Sequence, residues 1–320
     1  RFFGLPLPQS VYLAAVKPKL VIVLGPTAVG KSDTVLDLAS QFSAEIISAD
    51  SQQVYRHMDI GTAKPSREQR EKIAHHLIDI VDPDEEFNAA MFRNLAAEVA
   101  SKLTNCDKRI IVCGGTGLYI KALTKGLFDG PGRDPQIRQA FEWEIEEHGI
   151  GALYHRLEQV DPESARRIHP NDRQRITRAL EVYDATGRKI TEWQREHRFN
   201  DLLFDVLKIG LDRRRSELYD RIDRRCELMI AAGLLDEVKK LVAMGYGLDL
   251  KPMQSIGYRH LGLFLRDRMS LDNALHLMKR DTRRLAKRQL TWFHSDREIR
   301  WFDPEGQRGA IEEAVRRFLD

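Results

Sequence analysis

Eight residues near the N-terminus, Gly25-Pro26-Thr27-Ala28-Val29-Gly30-Lys31-Ser32, fit the pattern GxxxxGK[ST]. In such a loop the glycines let successive backbone N–H groups curl around an anion. Lys31 would neutralise a terminal phosphate, and the Ser32 hydroxyl would help to hold Mg2+. The octet lies between an apolar run, Leu20–Leu24 (LVIVL), and an amphipathic stretch from about Lys31 to Phe42. The anion would therefore also meet the N-terminus of a helix. This is a phosphate or diphosphate site. The loop does not say which phosphate it holds, or whether phosphate is transferred.

A P-loop enzyme that moves phosphoryl groups normally carries an acid for its metal at the end of a further apolar strand. The run Arg109–Cys113 (RIIVC) ends instead in Gly114-Gly115-Thr116-Gly117. Strand-like Glu45–Ala49 leads to Asp50, read as the only strand with a terminal acid. Ligands bind outside the C-terminal ends of parallel strands, so Asp50 faces the phosphate site as a Mg2+ ligand or a general base, or else caps the next helix. The GGTG turn permits close backbone approach, and Thr116 adds a hydroxyl. Arg221 and Arg225 share a helix face and, with Arg215, could clamp a diphosphate from the far side, or pair with Glu217, Asp220 and Asp223 at the surface. Ten histidines, His75 and His76 among them, and three scattered cysteines (Cys106, Cys113, Cys226) show no metal-site spacing and no disulfide framework.

These groups require an α/β frame. Strand-like runs at Leu20–Leu24, Glu45–Ala49, Arg109–Cys113 and Val206–Leu211 alternate with helical patterns, which predicts a parallel sheet flanked by helices. Between Asp129 and about Phe199 strands vanish, and charged amphipathic helices are expected over Pro135–His148, Ala152–Val160, Asp161–Ile168 and Asp172–Thr186. The spacing thus predicts an α/β core over 20–128 and 200–320 with a helical insertion domain at 129–199, preceded by a leader at 1–19. Long helices are expected over Arg213–Met244 and Leu271–Phe293. The 320 residues, 42% hydrophobic and 31% charged, exclude a disordered chain and a small disulfide scaffold. No apolar run reaches the ~18 residues of a spanning helix, so no membrane role follows. The cysteine pattern suits a reducing cytoplasm. Net charge is only +3, but basic residues gather at Arg166–Arg178 and His276–Arg300. Those stretches are either solvated helix faces or a polyanion surface.

From Leu20 to about Trp301 the chain resembles the tRNA dimethylallyltransferases, also called tRNA isopentenyltransferases. The resemblance is carried, in order, by GPTAVGKS (Gly25–Ser32), SADSQQ (Ser48–Gln53), VYRHMDIGTAKP (Val54–Pro65), HHLIDIVDP (His75–Pro83), GGTGLY (Gly114–Tyr119), IHPNDRQRITRALEVY (Ile168–Tyr183), SIGYR (Ser255–Arg259) and TRRLAKRQLTWF (Thr282–Phe293). It implies a P-loop NTPase-like fold. It also implies transfer of a dimethylallyl group from dimethylallyl diphosphate to the exocyclic amine of the adenosine 3′ to the anticodon. The P-loop would then hold a leaving diphosphate, which accounts for the missing acid after RIIVC. Asp50 would accept the amine proton, Thr116 would orient Asp50, Arg221 would bind the diphosphate, and Mg2+ through Ser32 would neutralise its charge.

The resemblance further implies contacts to the tRNA anticodon stem-loop from Asp50, Ser51, Gln52, Gln53, Thr116 and Arg138. More would come from Gln174, Arg175, Arg178, Gln254, Ser255, Gly257, Tyr258 and Arg259, with Arg284 and Arg288 on stem phosphates. With its scattered cysteines and an end at Asp320, the sequence lacks the zinc finger that eukaryotic relatives often append, and resembles the compact bacterial form. A cytoplasmic monomer is the family expectation. Two rivals remain on the residues alone: a small-molecule P-loop kinase using ATP, with Asp50 activating a hydroxyl, and a non-catalytic RNA-binding module.

Overall fold

The computed structural model describes residues 17–128, 130–197 and 202–320. The leader expected at 1–19 lies outside them up to residue 16, and the first strand already begins at Lys19. Residues 20–24 and 110–112 are buried along their whole length, which demands packed layers on both faces of the sheet. The strands are β1 (Lys19–Leu24), β2 (Ala44–Ser48), β3 (His75–His76), β4 (Arg109–Gly114), β5 (Asp205–Leu211) and β6 (Arg300–Phe302). They lie in the order β3-β2-β4-β1-β5-β6, and every pairing is parallel. In chain order the helices are α1 (Lys31–Phe42), α2 (Arg67–Lys72), α3 (Ala89–Asn105), α4 (Gly117–Lys125), α5 (Pro135–His148), α6 (Ile150–Val160), α7 (Pro162–Arg167), α8 (Arg173–Thr186), α9 (Ile190–His197), α10 (Arg215–Ala231), α11 (Leu234–Ala243), α12 (Tyr258–Leu265), α13 (Leu271–His294) and α14 (Arg308–Leu319). None is long and apolar enough to cross a membrane.

The chain divides into two compact units, one of them helical and starting at Lys125 rather than at Asp129. The helical unit owes its order to its own caps and core. Asp134 accepts from the N–H groups of Gln136 and Ile137 to start α5, and Asp172 accepts from Arg175 N–H to start α8. Phe141, Leu153, Leu157, Ile176 and Leu180 fill its interior. Asp161 caps α7 through Ser164 N–H and also takes the Thr191 hydroxyl at 3.1 Å, joining α7 to α9.

Two expectations are corrected in the α/β unit. The single helix expected over Arg213–Met244 is broken at Gly233, whose φ of 98° ends the α10 segment and lets α11 set off in a new direction. Asp50 is also not the only acid at a strand end, because Asp212 directly follows β5. Asp212 accepts from the N–H of Arg213 at 2.8 Å and lies outside the cavity described below.

Candidate active site

Register brings the candidate residues together. β1 ends at Leu24 opposite Gly114 of β4, and Ser48 of β2 pairs with Cys113 of β4. The P-loop, the GGTG turn and Asp50 therefore leave three adjacent strands at one level, at the C-terminal edge where the strand order reverses. The close fit explains Gly114, since a Cβ there would stand 2.1 Å from Ala49 O.

The P-loop is held from both sides. Ala28 adopts a left-handed φ of 64°, and Gly25 and Gly30 have φ of 149° and 112°. Outward-facing carbonyls are taken by arginines: Arg213 Nε donates to Val29 O at 2.7 Å, and Arg221 Nε donates to Ala28 O at 2.9 Å. Glu305 neutralises Arg213 at 2.6 Å and lies 3.9 Å from Arg221. On the other side Gln289 of α13 accepts from Thr27 N–H at 2.9 Å and donates to Gly115 O at 3.0 Å, so one carboxamide joins the P-loop to the GGTG turn. Lys31 Nζ donates to Gly25 O at 3.0 Å and Pro26 O at 2.8 Å. Burial lowers the Lys31 ammonium to about 8, with Arg225 adding to the effect and Asp50 opposing it.

Asp50 begins a tight turn. Its Oδ1 accepts from Gln52 N–H at 2.8 Å and Gln53 N–H at 3.3 Å. The Thr116 hydroxyl accepts from Ser51 N–H at 3.0 Å. Thr116 thus supports the Asp50 turn and is not among the residues that line the cavity described next. Gln53 is tied inward, accepting from the Ser48 hydroxyl at 2.9 Å and donating to Thr62 O and Ala63 O.

These groups enclose a cavity of about 930 Å3. Lys31, Ser32, Asp50, Gln52, Arg221, Arg225 and Arg259 line it, together with aliphatic side chains such as Leu36, Ile46, Met229, Ile256 and Leu285. Arg225 is the member named beside Arg221 from its helical spacing, whereas Arg215 turns to Tyr219 instead. Burial lowers the Arg225 guanidinium, and the Asp50 carboxylate offsets part of that. Burial pushes the Cys113 thiol up to about 11, so it lines the cavity uncharged. Gln52 Oε1 and Ser255 Oγ are buried without a hydrogen-bond partner, leaving two open polar positions in the wall.

The remaining sequence candidates divide by surroundings. Gln254 and Arg259 line the cavity, Arg259 also pairing with Asp281. Gly257 and Tyr258 do not reach solvent: Tyr258 is fully buried with its hydroxyl donating to Glu237, so this aromatic is corrected from an RNA contact to part of the frame. Arg284 is exposed and 3.4 Å from Asp281, whose carboxyl is held far below the usual range: burial would raise it, but Arg280, His260 and Arg259 more than offset that. Arg288 lines the cavity. In the helical unit, Gln174 and Arg175 are exposed at the start of α8. Arg138 and Arg178 both bind Glu181, which is fully buried. Burial would raise the Glu181 carboxyl, but these two guanidiniums hold it at about 2. Gln289 and Arg213 escaped the sequence reading. The spacing Met278, Thr282, Leu285, Gln289 would have marked one face of α13, but nothing local says what that face meets.

Comparison with known proteins follows the same lines. The family model described as IPP transferase matches residues 53–296. A tRNA dimethylallyltransferase 2 of Syntrophus aciditrophicus (strain SB) is 53% identical over 300 residues, covering 94% of this chain and 96% of that protein. A tRNA dimethylallyltransferase of Syntrophobacter fumaroxidans is 52% identical, covering 94% and 88%. The crystal structure of a tRNA isopentenylpyrophosphate transferase from Bacillus halodurans superposes with a TM-score of 0.71 at 39% identity, covering 95% of this chain and 97% of that one. A eukaryotic dimethylallyltransferase acting on tRNA gives 0.76 at 29% identity, covering 93% and 77%. With three quarters of its length matched by the family model and a relative 53% identical over 94% of the chain, this chain belongs to the IPP transferase family.

Proposed function

We propose that the chain transfers the dimethylallyl group of dimethylallyl diphosphate to the exocyclic amine of the adenosine 3′-adjacent to the anticodon of tRNA. The observation that carries this reading is one cavity holding a cationic phosphate cradle, Lys31 with Arg221 and Arg225, together with aliphatic walls and a carboxylate at the end of β2, Asp50; the other lining carboxylate, Asp33, belongs to the first turn of α1. The amine nitrogen attacks the allylic carbon and the carbon–oxygen bond breaks. Its electron pair leaves with the diphosphate, and Asp50 takes the amine proton. Thr116 and the Gln52 and Gln53 N–H groups fix the Asp50 turn. The base must leave its stack to reach this depth. Gln52 and Ser255, with their open acceptor positions, suit its polar edge.

Among the described residues no cluster of three His, Cys, Asp or Glu side chains could hold a metal by itself. The donor that remains, the Ser32 hydroxyl in the cavity wall, suits Mg2+ held mainly by substrate phosphates. When bound, Mg2+ would neutralise charge on the departing diphosphate. The reading includes action as a monomer in the cytoplasm. Arg138, Gln174, Arg175 and Arg178 would reach the anticodon stem-loop from the helical unit.

The test is transfer of labelled dimethylallyl diphosphate to unmodified tRNA with Mg2+, beside Asp50→Asn. Asparagine keeps an oxygen for the Gln52 and Gln53 N–H groups but cannot take the proton, so turnover should fall about 10²–10⁴-fold with tRNA affinity retained. Wild-type turnover in the variant would remove Asp50 from its role. Absence of label with the unaltered protein would overturn the function itself.

A further inference from the structure

Trp292 stands one step beyond the residues by which α13 walls the cavity. Met278, Thr282, Leu285 and Gln289 line it, and their spacing of three and four carries the same helix face on to position 292. A large aromatic on this face is nevertheless 40% exposed. The indole is seated against the start of α4, for a Cβ on Gly117 would lie 2.3 Å from Trp292 Cδ1 and Nε1. Leu118 beside it is 48% exposed. Gly117 closes the turn whose Gly115 O receives Gln289, so the exposed ring sits where the cavity wall ends. One helical turn back, Arg288 lines the cavity, and among the described residues it makes no hydrogen bond or ion pair.

We propose that Trp292 is a stacking platform for the nucleobase adjacent to the one that enters the cavity. The inference rests on the function proposed above. Drawing one base out of a loop strips its neighbours of a stacking partner, and a fixed indole at the rim replaces that partner and favours the opened loop. Arg288 supplies the cation for the intervening phosphate, the pairing of aromatic and basic groups by which single strands are held.

The test uses the full-length protein and synthetic anticodon stem-loops, intact or abasic at either nucleotide flanking the target adenosine. Loop affinity is measured by direct titration, and donor KM from label transfer. Trp292→Leu, which keeps bulk but loses the aromatic face, should weaken the intact loop about 5- to 100-fold. Trp292→Phe should weaken it much less, and donor KM should not change in either variant. At one flank the abasic loop should bind wild type and Trp292→Leu equally, because the two losses remove the same contact. Unchanged affinity for the intact loop, or additive losses at both flanks, would overturn the proposal. So would a donor KM that rises in step with the loop Kd, since the ring would then only be packing on Gly117. If unaltered protein transfers no label, the proposed function falls, and the loop titrations still decide the stacking.

Discussion

Lys31 has two sets of partners. Its ammonium caps the Gly25 and Pro26 carbonyls, and a diphosphate in the loop would offer it anionic oxygens instead. Its pKa is lowered to about 8, chiefly by burial. The charged form is therefore complete below that pH and is lost above it. Donor binding favours the charged form, so donor KM should stay flat below about pH 8 and rise above it, by at most tenfold per pH unit for one proton. Lys31→Met should raise KM and abolish that rise, and steady-state kinetics from pH 6.5 to 9.5 check both. The positions of Lys31 and Asp50 in one cavity were legible because they follow from strand ends and a short motif. Gln289 was not: its carboxamide meets Thr27 and Gly115 only after the helix docks. Tyr258 was misread for the same reason, since its neighbour Arg259 does reach the cavity while the ring turns inward onto Glu237.

Among the elements, the segment from Tyr55 to Lys64 shows how a stretch without regular structure is made rigid. Glu237 of α11 accepts from the consecutive N–H groups of Asp59, Ile60 and Gly61 at 2.9, 2.8 and 3.2 Å, and from the Tyr258 hydroxyl. Lys64, almost fully buried, donates to Tyr55 O and joins Asp59 to Asp79. Glu237→Ala leaves these donors without their acceptor and should destabilise the fold by about 1–3 kcal/mol. The urea midpoint should fall, and Glu237→Gln should recover part of the loss. Helices were the most legible elements. The α1 and α5 bounds agree with the sequence reading because Gly30 and Asp134 mark their starts. The break at Gly233 was hidden because one glycine in a helical pattern is ordinarily tolerated. Strands β3 and β6, two and three residues long, carry too little pattern to be seen.

On the scale of the whole chain, the +3 net charge conceals where the cations lie. On α13, Lys279 and Arg283 are bound to Glu227 and Asp223 of α10, which joins the two helices. Arg284 and Arg288 differ: the first is 62% exposed beside an Asp281 that has other cationic partners, and the second faces the cavity. Replacing both with Gln should weaken every tRNA by a similar factor and reduce the slope of log affinity against log salt by about one to two. Titrations across salt concentrations measure that slope, and a sequence-dependent loss would instead make these residues readers of bases. The sheet order has a consequence for synthesis. Among the described strands β1 is the first to be synthesised, yet one of its two neighbours, β5, is translated only after the helices α5–α9 of the helical unit. Until then the LVIVL edge stays open, and such an edge invites pairing with other nascent chains. Translation speed through the helical unit thus sets how long that edge of β1 waits for β5.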